Sequence, residues 1–187
     1  AISEKNNLFK APETYMSKIS AKVKERNVID LDYSIKKNIF NLSEYLNKKP
    51  ENLTACIMDR PRHNKIIKEL NDLNVNIKLI TDGDVLGAIY VSDPKFNVDM
   101  YLGIGGGPEG VLAGSALDAF GCFFQGRFIF DNDKNISEAK KMGITDLDKK
   151  YELSEIIKGD SIFCATGITS GDLIPGITIE DNKIISE

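Results

Sequence analysis

"LTACIMDRPRHNKIIKELNDLNVNIKLITDGDV", Leu53 to Val85, carries the pattern that decides the fold. Leu53–Asp59 is a short apolar run of the kind that forms a buried strand. Arg62–Asn74 is amphipathic, with Ile66, Ile67 and Leu70 on one helical face. Val75–Thr81 reads as a second strand, closed by Asp82-Gly83-Asp84. The alternation then continues. Asp84–Ser92 reads as a helix, "VDMYLGI" (Val98–Ile104) as a strand, and "EGVLAGSALDAFG" (Glu109–Gly121) as a helix full of small residues. Crossovers of this length are what parallel strands require. They are right-handed, and ligands bind outside the carboxyl ends of the strands they join. The predicted fold class is therefore α/β: a layered sheet with a parallel β-α-β-α-β core flanked by helices. Three strand ends should open on one edge: Asp59–His63, Asp82–Asp84 and Gly103–Gly110.

The flanks are less regular. Residues 1–30 are polar and weakly periodic, with few strand signals. Asp32–Pro50 reads as a helix, because Ile35, Ile39, Leu42 and Leu46 recur at helical spacing and Pro50 follows its end. We expect residues 1–50 to be a connecting segment and helix, and residues 51–187 to form the α/β domain. Beyond Gly121, "FFQGRFIF" reads as a strand, and "SEAKKMG" and "LSEIIKG" as short helices closed by glycine. "SIFCATGITSGD" reads as a strand running into a polar turn, and "GITIEDNKIIS" as a hairpin turning near Asp181-Asn182.

Composition narrows the class of function. Hydrophobic residues make up 42% and charged residues 28% of the 187, a soluble globular profile. No apolar run approaches the roughly 20 residues of a membrane span. With a net charge of −4, bulk electrostatics favour neither nucleic acid nor anionic lipid. Cys56, Cys122 and Cys164 lie in or beside apolar runs, form no CxxC pair, and are expected to pack as small hydrophobes. Reduced cysteines and the lack of a signal-peptide pattern predict a cytoplasmic protein.

The strand ends carry the candidate chemistry. Arg60 and Arg62, two residues apart and stiffened by Pro61, can both face an anion, and the planar arginine fork suits phosphate. Spacing alone leaves open that both are solvated helix-start residues. Asp82-Gly83-Asp84 is a common turn and cap on its own. As a site, its glycine would admit a ligand and its aspartates would accept hydrogen bonds from sugar hydroxyls. "GIGGGPEG" (Gly103–Gly110) does not match a full G-x-G-x-x-G fingerprint, since Pro108 occupies the third position, and it has no Walker lysine. A dinucleotide-binding domain is disfavoured for the same reason. Glu109 suits the first helical turn electrostatically. In a phosphate pocket it becomes useful when a divalent cation lies between the two anions. His63, the one histidine, is expected to shape its loop rather than act as a base.

"MDRPRHNKII", "LITDGDV", "YLGIGGGPEGV", "QGRFIF" and "ATGITSGDLIPGI", with "LFKAPETYMSKI" upstream, together resemble the class II fructose-1,6-bisphosphatases, the metal-dependent bacterial type. The likeness covers nearly the whole chain in order. It implies hydrolysis of the 1-phosphate of fructose 1,6-bisphosphate in gluconeogenesis, with sedoheptulose 1,7-bisphosphate as an alternative substrate in some members. It further implies substrate contacts at Tyr15, Arg60, Pro61, Arg62, Asp82, Gly83, Asp84 and Gly106, and a metal ligand at Glu109. Mn²⁺ or Mg²⁺ is the implied cofactor, and a homo-oligomer the implied assembly. The turn with Thr166, Thr169, Ser170 and Asp172 is family-like and expected to be structural, near the pocket. Members are longer than this chain. The expectation is thus a C-terminal portion that lacks part of the metal site and turns over poorly alone. A phosphatase for another sugar or inositol phosphate, and a non-catalytic sugar-phosphate-binding module, are the alternatives.

Overall fold

The computed structural model describes residues 1–180 and 183–185. In chain order it contains β1 (Ile2–Ser3), β2 (Tyr15–Ala21), α1 (Ile35–Leu46), β3 (Thr54–Met58), α2 (Asn64–Asp72), β4 (Asn76–Ile80), α3 (Asp84–Ile89), β5 (Met100–Gly106) and α4 (Gly107–Ala119). There follow β6 (Phe123–Ile129), α5 (Asp133–Lys141), β7 (Lys150–Glu152), the single turn α6 (Leu153–Ile156), β8 (Ser161–Ile162), β9 (Thr178–Glu180) and β10 (Lys183–Ile185). No described helix is long and apolar enough to cross a membrane.

Six strands form one mixed sheet in the order β4-β3-β5-β2-β6-β7. The expected parallel core is present: β3 pairs in parallel with β4 along its whole length, and with β5 over Ala55↔Met100 and Cys56↔Tyr101. From β3 the chain passes to one side to form β4, then returns to the other side to form β5. The carboxyl ends of β3 and β5 thus flank the point where strand order reverses, the place where open α/β sheets bind ligands.

Residues before 50 do more than connect. β2 lies between β5 and β6, antiparallel to both, from Tyr15↔Gly106 and Tyr15↔Ile129 to Ala21↔Met100 and Ala21↔Phe123. The weak strand signal there is overridden by pairing with two apolar neighbours, and alternation shows on both faces. Ile19 and Ala21 join Ile39, Leu42, Leu70, Met100 and Leu102 on the α1/α2 side. Met16 joins Tyr101, Val111, Leu117, Phe124 and Phe128 on the α4 side.

Local signals set most boundaries. The Ser34 side chain accepts from the Lys37 amide to start α1, and Asn47, in the left-handed region, ends it. Pro61–His63 form a short 3₁₀ turn, so α2 begins at Asn64 rather than Arg62. β5 runs on to Gly106, two residues past its expected end. The segment from Ser161 is strand only at Ser161–Ile162, where it pairs with Ile2–Ser3. β9 and β10 pair as the expected hairpin, whose turn at Asp181-Asn182 lies outside the described residues. Cys56 and Cys122 are buried, and burial pushes the Cys56 thiol up to about 12. Cys164 is exposed, contrary to expectation, because β8 ends before it and no element covers it.

Candidate functional site

The sheet opens at its reversal point. Beyond Cys56↔Tyr101 the strands β3 and β5 no longer pair, and His63 spans the gap. The Ile104 amide donates to His63 Nε2 at 2.8 Å. Nε2 is therefore the lone-pair nitrogen, and Nδ1 carries the proton that goes to the Met58 carbonyl, also at 2.8 Å. The ring is buried, and burial holds its pKa below the ordinary histidine value. A neutral imidazole committed on both nitrogens ties the loop after β3 to the end of β5. That is the structural role expected for it.

Arg62 adds a second tie, donating from Nε to the Ile104 carbonyl at 3.0 Å. Its guanidinium carbon lies 5.0 Å from the centre of the Tyr15 ring. Tyr15 opens β2 directly opposite Gly106 and is 47% exposed, so its ring forms an accessible wall beside that guanidinium. Arg62, Tyr15 and Gly106 are brought together as predicted. Arg60 is placed differently: among the described residues its side chain makes one hydrogen bond, from Nη1 to the neighbouring Asp59 carbonyl.

At the end of β4, the exposed Asp82 accepts the Gly83 amide on its own carboxylate at 2.8 Å. Gly83 has φ +81°, in the left-handed region that a side chain would strain. That turn delivers Asp84 into the first turn of α3, buried, with its Oδ2 accepting from Lys18 Nζ at 2.5 Å.

Lys18 is the residue that the sequence reading missed. It stands in the middle of β2 with 1% exposure. Burial pushes its ammonium pKa down; Asp84, and then Glu109, oppose this, while Arg62 adds to the lowering. It therefore lies within the electrostatic reach of three predicted site residues. The available signal was a single lysine in the alternating stretch "YMSKISA".

The glycines of "GIGGGPEG" make room for the protein's own side chains. A Cβ on Gly105 would overlap the Asp84 carboxylate and lie 3.1 Å from Lys18 Nζ. One on Gly106 would overlap the Glu109 carboxylate. Gly106 itself has φ −65° and ψ 145°, open to any residue, so space and not backbone freedom calls for glycine there. Pro108 and Glu109 fall in the first turn of α4, as expected. Tyr15, Gly106, Pro108, Glu109, Asp131 and Asn132 line an open cleft of about 340 Å³.

A divalent cation of the Mg²⁺ type takes about six oxygen ligands. Among the described residues, no group of three or more His, Cys, Asp or Glu side chains is arranged to hold a metal ion. Glu109, exposed at the cleft, can offer one carboxylate, and the described residues do not build a complete cation centre around it. The turn Thr166–Asp172 is exposed except at Gly167, and Asp172 ties it to the edge strand through Lys78 at 2.7 Å.

The fold and this edge define an α/β protein with a carboxylate-lined cleft, beside the Tyr15–Arg62 contact, at the carboxyl end of β5 next to the strand-order reversal. The family model described as bacterial fructose-1,6-bisphosphatase, glpX-encoded, matches residues 1–187. The chain belongs to that family. Proteins named D-fructose 1,6-bisphosphatase class 2/sedoheptulose 1,7-bisphosphatase are similar to it. That of Crocosphaera subtropica is 38% identical over 190 residues, covering 95% of this chain and 55% of the relative. That of Trichodesmium erythraeum is 37% identical over 195 residues, covering 97% and 56%. The chain thus spans about 55% of the length of the curated relatives it matches.

Proposed function

We propose that this chain forms the sugar-phosphate-binding part of a phosphoric monoester hydrolase acting on fructose 1,6-bisphosphate, releasing the 1-phosphate. The observation that carries the reading is the convergence of Arg62, Tyr15, Gly106 and Glu109 at the reversal point, with Asp82-Gly83-Asp84 on the adjoining strand end. In this reading the Arg62 fork holds a substrate phosphate, which positions the ester rather than breaking it. Tyr15 packs beside the sugar. Asp82 and Asp84 accept hydrogen bonds from its hydroxyls, and Arg60 adds positive charge at the loop. A divalent cation, Mn²⁺ or Mg²⁺, would supply Lewis-acid polarisation of the phosphoryl group. Glu109 would contribute one of its ligands. Because one carboxylate is not a cation centre, the 187-residue chain should bind substrate yet turn it over poorly.

Sedoheptulose 1,7-bisphosphate is the second substrate reading, favoured by the names of the relatives. The cytoplasm, gluconeogenesis and a homo-oligomer complete the proposal on the strength of the family resemblance. Calorimetric titration of the chain with both bisphosphates, with and without Mn²⁺, tests it. Saturable binding of a sugar bisphosphate that Arg62→Ala abolishes supports the reading. Equal heats for wild type and Arg62→Ala, or no binding of either sugar, would overturn it.

A further inference from the structure

Lys18 is the one fully buried lysine among the described residues, in the central strand of the sheet. An ammonium in that position is costly unless something on the protein holds it. An aliphatic side chain would fill the same space without that cost. The surroundings are nonetheless shaped around the charge. Both residues opposite Lys18 in register are glycines, Gly103 on β5 and Gly126 on β6. Gly105 leaves the path by which the Asp84 carboxylate crosses β5 to reach Nζ, and a Cβ on Gly110 of α4 would press on Lys18 Cε at 3.2 Å. Gly105 and Gly110, on two elements, are thus the positions where an added side chain would press on the ion pair itself.

The pair lies within the electrostatic reach of Glu109 and Arg62. Asp84 Oδ2 is taken by Lys18, and Oδ1 has no hydrogen-bond partner among the described residues. The Asp84 side chain retains 11% exposure, against 1% for Lys18. Asp84 is therefore the outer member, pinned from behind by a cation that solvent does not reach. Its backbone is fixed as well, by the left-handed turn at Gly83.

The geometry points to Lys18 as a positioning residue for sugar recognition: by fixing Asp84 Oδ2 it aims Oδ1 at a hydroxyl of the bound sugar. This rests on the sugar-phosphate reading above, and it separates two functions of the edge. Arg62 reads the phosphate, whereas the Lys18–Asp84 pair reads the sugar. A locked carboxylate loses little rotamer freedom when a hydroxyl donates to it, so the lock contributes directly to affinity.

The test compares the binding of fructose 1,6-bisphosphate and of inorganic phosphate by calorimetry, with folding checked by circular dichroism. The variants are Lys18→Met, Asp84→Asn, and the two combined. A hydrogen bond to a charged group sets the scale, so each single substitution should weaken sugar bisphosphate binding by about tenfold or more. Inorganic phosphate binding should stay within about twofold of wild type, since Arg62 is untouched. The double variant, which contains no unpaired buried charge, should regain thermal stability but not sugar affinity. If Lys18→Met or the double variant binds the sugar bisphosphate as wild type does, the pair only supports the fold and the positioning role is wrong. If wild type itself binds no sugar bisphosphate, the functional reading fails and this inference falls with it.

Discussion

The amide of Ile104 donates to His63 Nε2 at 2.8 Å, across a gap where β3 and β5 have ceased to pair. With Nδ1–H on the Met58 carbonyl, the imidazole replaces the missing rung of the ladder. His63→Ala would leave the Ile104 amide without its partner and open a cavity, while the Met58 carbonyl would keep the Arg60 amide as a donor. At about 1–3 kcal/mol for the orphaned amide, with the cavity added, the expected loss is roughly 2–4 kcal/mol of stability. Urea unfolding at pH 7.5 measures it, and a loss below 1 kcal/mol would show that the bridge is dispensable.

The same geometry sets a pH dependence. A protonated His63 would point an Nε2–H at the Ile104 N–H, so the folded state resists protonation. Burial lowers the folded pKa below the unfolded value of about 6.5. The unfolded chain therefore binds more protons in that range, and stability rises with pH there. The contribution is complete above pH ~6.5 and declines as pH falls from there toward the lowered folded pKa. Urea midpoints between pH 5 and 8 should slope upward for wild type and flatten in His63→Gln. Parallel slopes would assign the effect to other groups.

The β3-to-α4 succession was legible because each element announces itself within its own dozen residues. Ile66, Ile67 and Leu70 mark a helix, "LTACIM" marks a strand, and Asp82-Gly83 marks the turn from β4 into α3. β2 was not legible. "YMSKISA" shows a lysine where a core strand should show an aliphatic residue, and what holds that lysine is Asp84, distant in sequence and reached past Gly105. The glycine loop was visible in composition. That its glycines clear space for Asp84 and Glu109 depends on where α3 and α4 begin, and that follows from tertiary packing.

Arg62→Ala should weaken fructose 1,6-bisphosphate binding by more than about tenfold, because it removes a charge-assisted phosphate contact. Arg62→Lys should not restore it. A lysine cannot both reach the Ile104 carbonyl from a side nitrogen and offer a planar fork beside the Tyr15 ring. Calorimetry in low and high salt checks both substitutions. Full recovery with lysine would reduce the role of Arg62 to that of a point charge.

Gly106→Ala and Gly105→Ala should part company. At Gly106 the backbone accepts alanine, and the new methyl meets only the tip of Glu109, a side chain able to swing into solvent. The melting temperature should hold within a few degrees, while any Mn²⁺ dependence of substrate binding should fade. At Gly105 the methyl meets the buried Lys18–Asp84 pair, which has nowhere to go. Breaking a buried ion pair costs about 3–5 kcal/mol. Thermal melts of both variants discriminate: equal melting temperatures would mean that the pair at Gly105 is softer than its burial implies.

Tyr101 offers the opposite sign. Its hydroxyl is buried and, among the described residues, has no hydrogen-bond partner. Burial, and after it Asp84, push its pKa well above the tyrosine range, so it stays a neutral phenol. Removing a partnerless buried polar atom restores no missing bond but ends its desolvation cost, about 1–3 kcal/mol. The ring remains to fill the core beside Gly87, where its Cε2 sits 3.1 Å from the position of an added Cβ. Tyr101→Phe should therefore leave stability unchanged or raise it, with phosphate and sugar binding intact. A loss of more than about 1 kcal/mol in urea unfolding would reveal an ordered water satisfying that hydroxyl beneath the site.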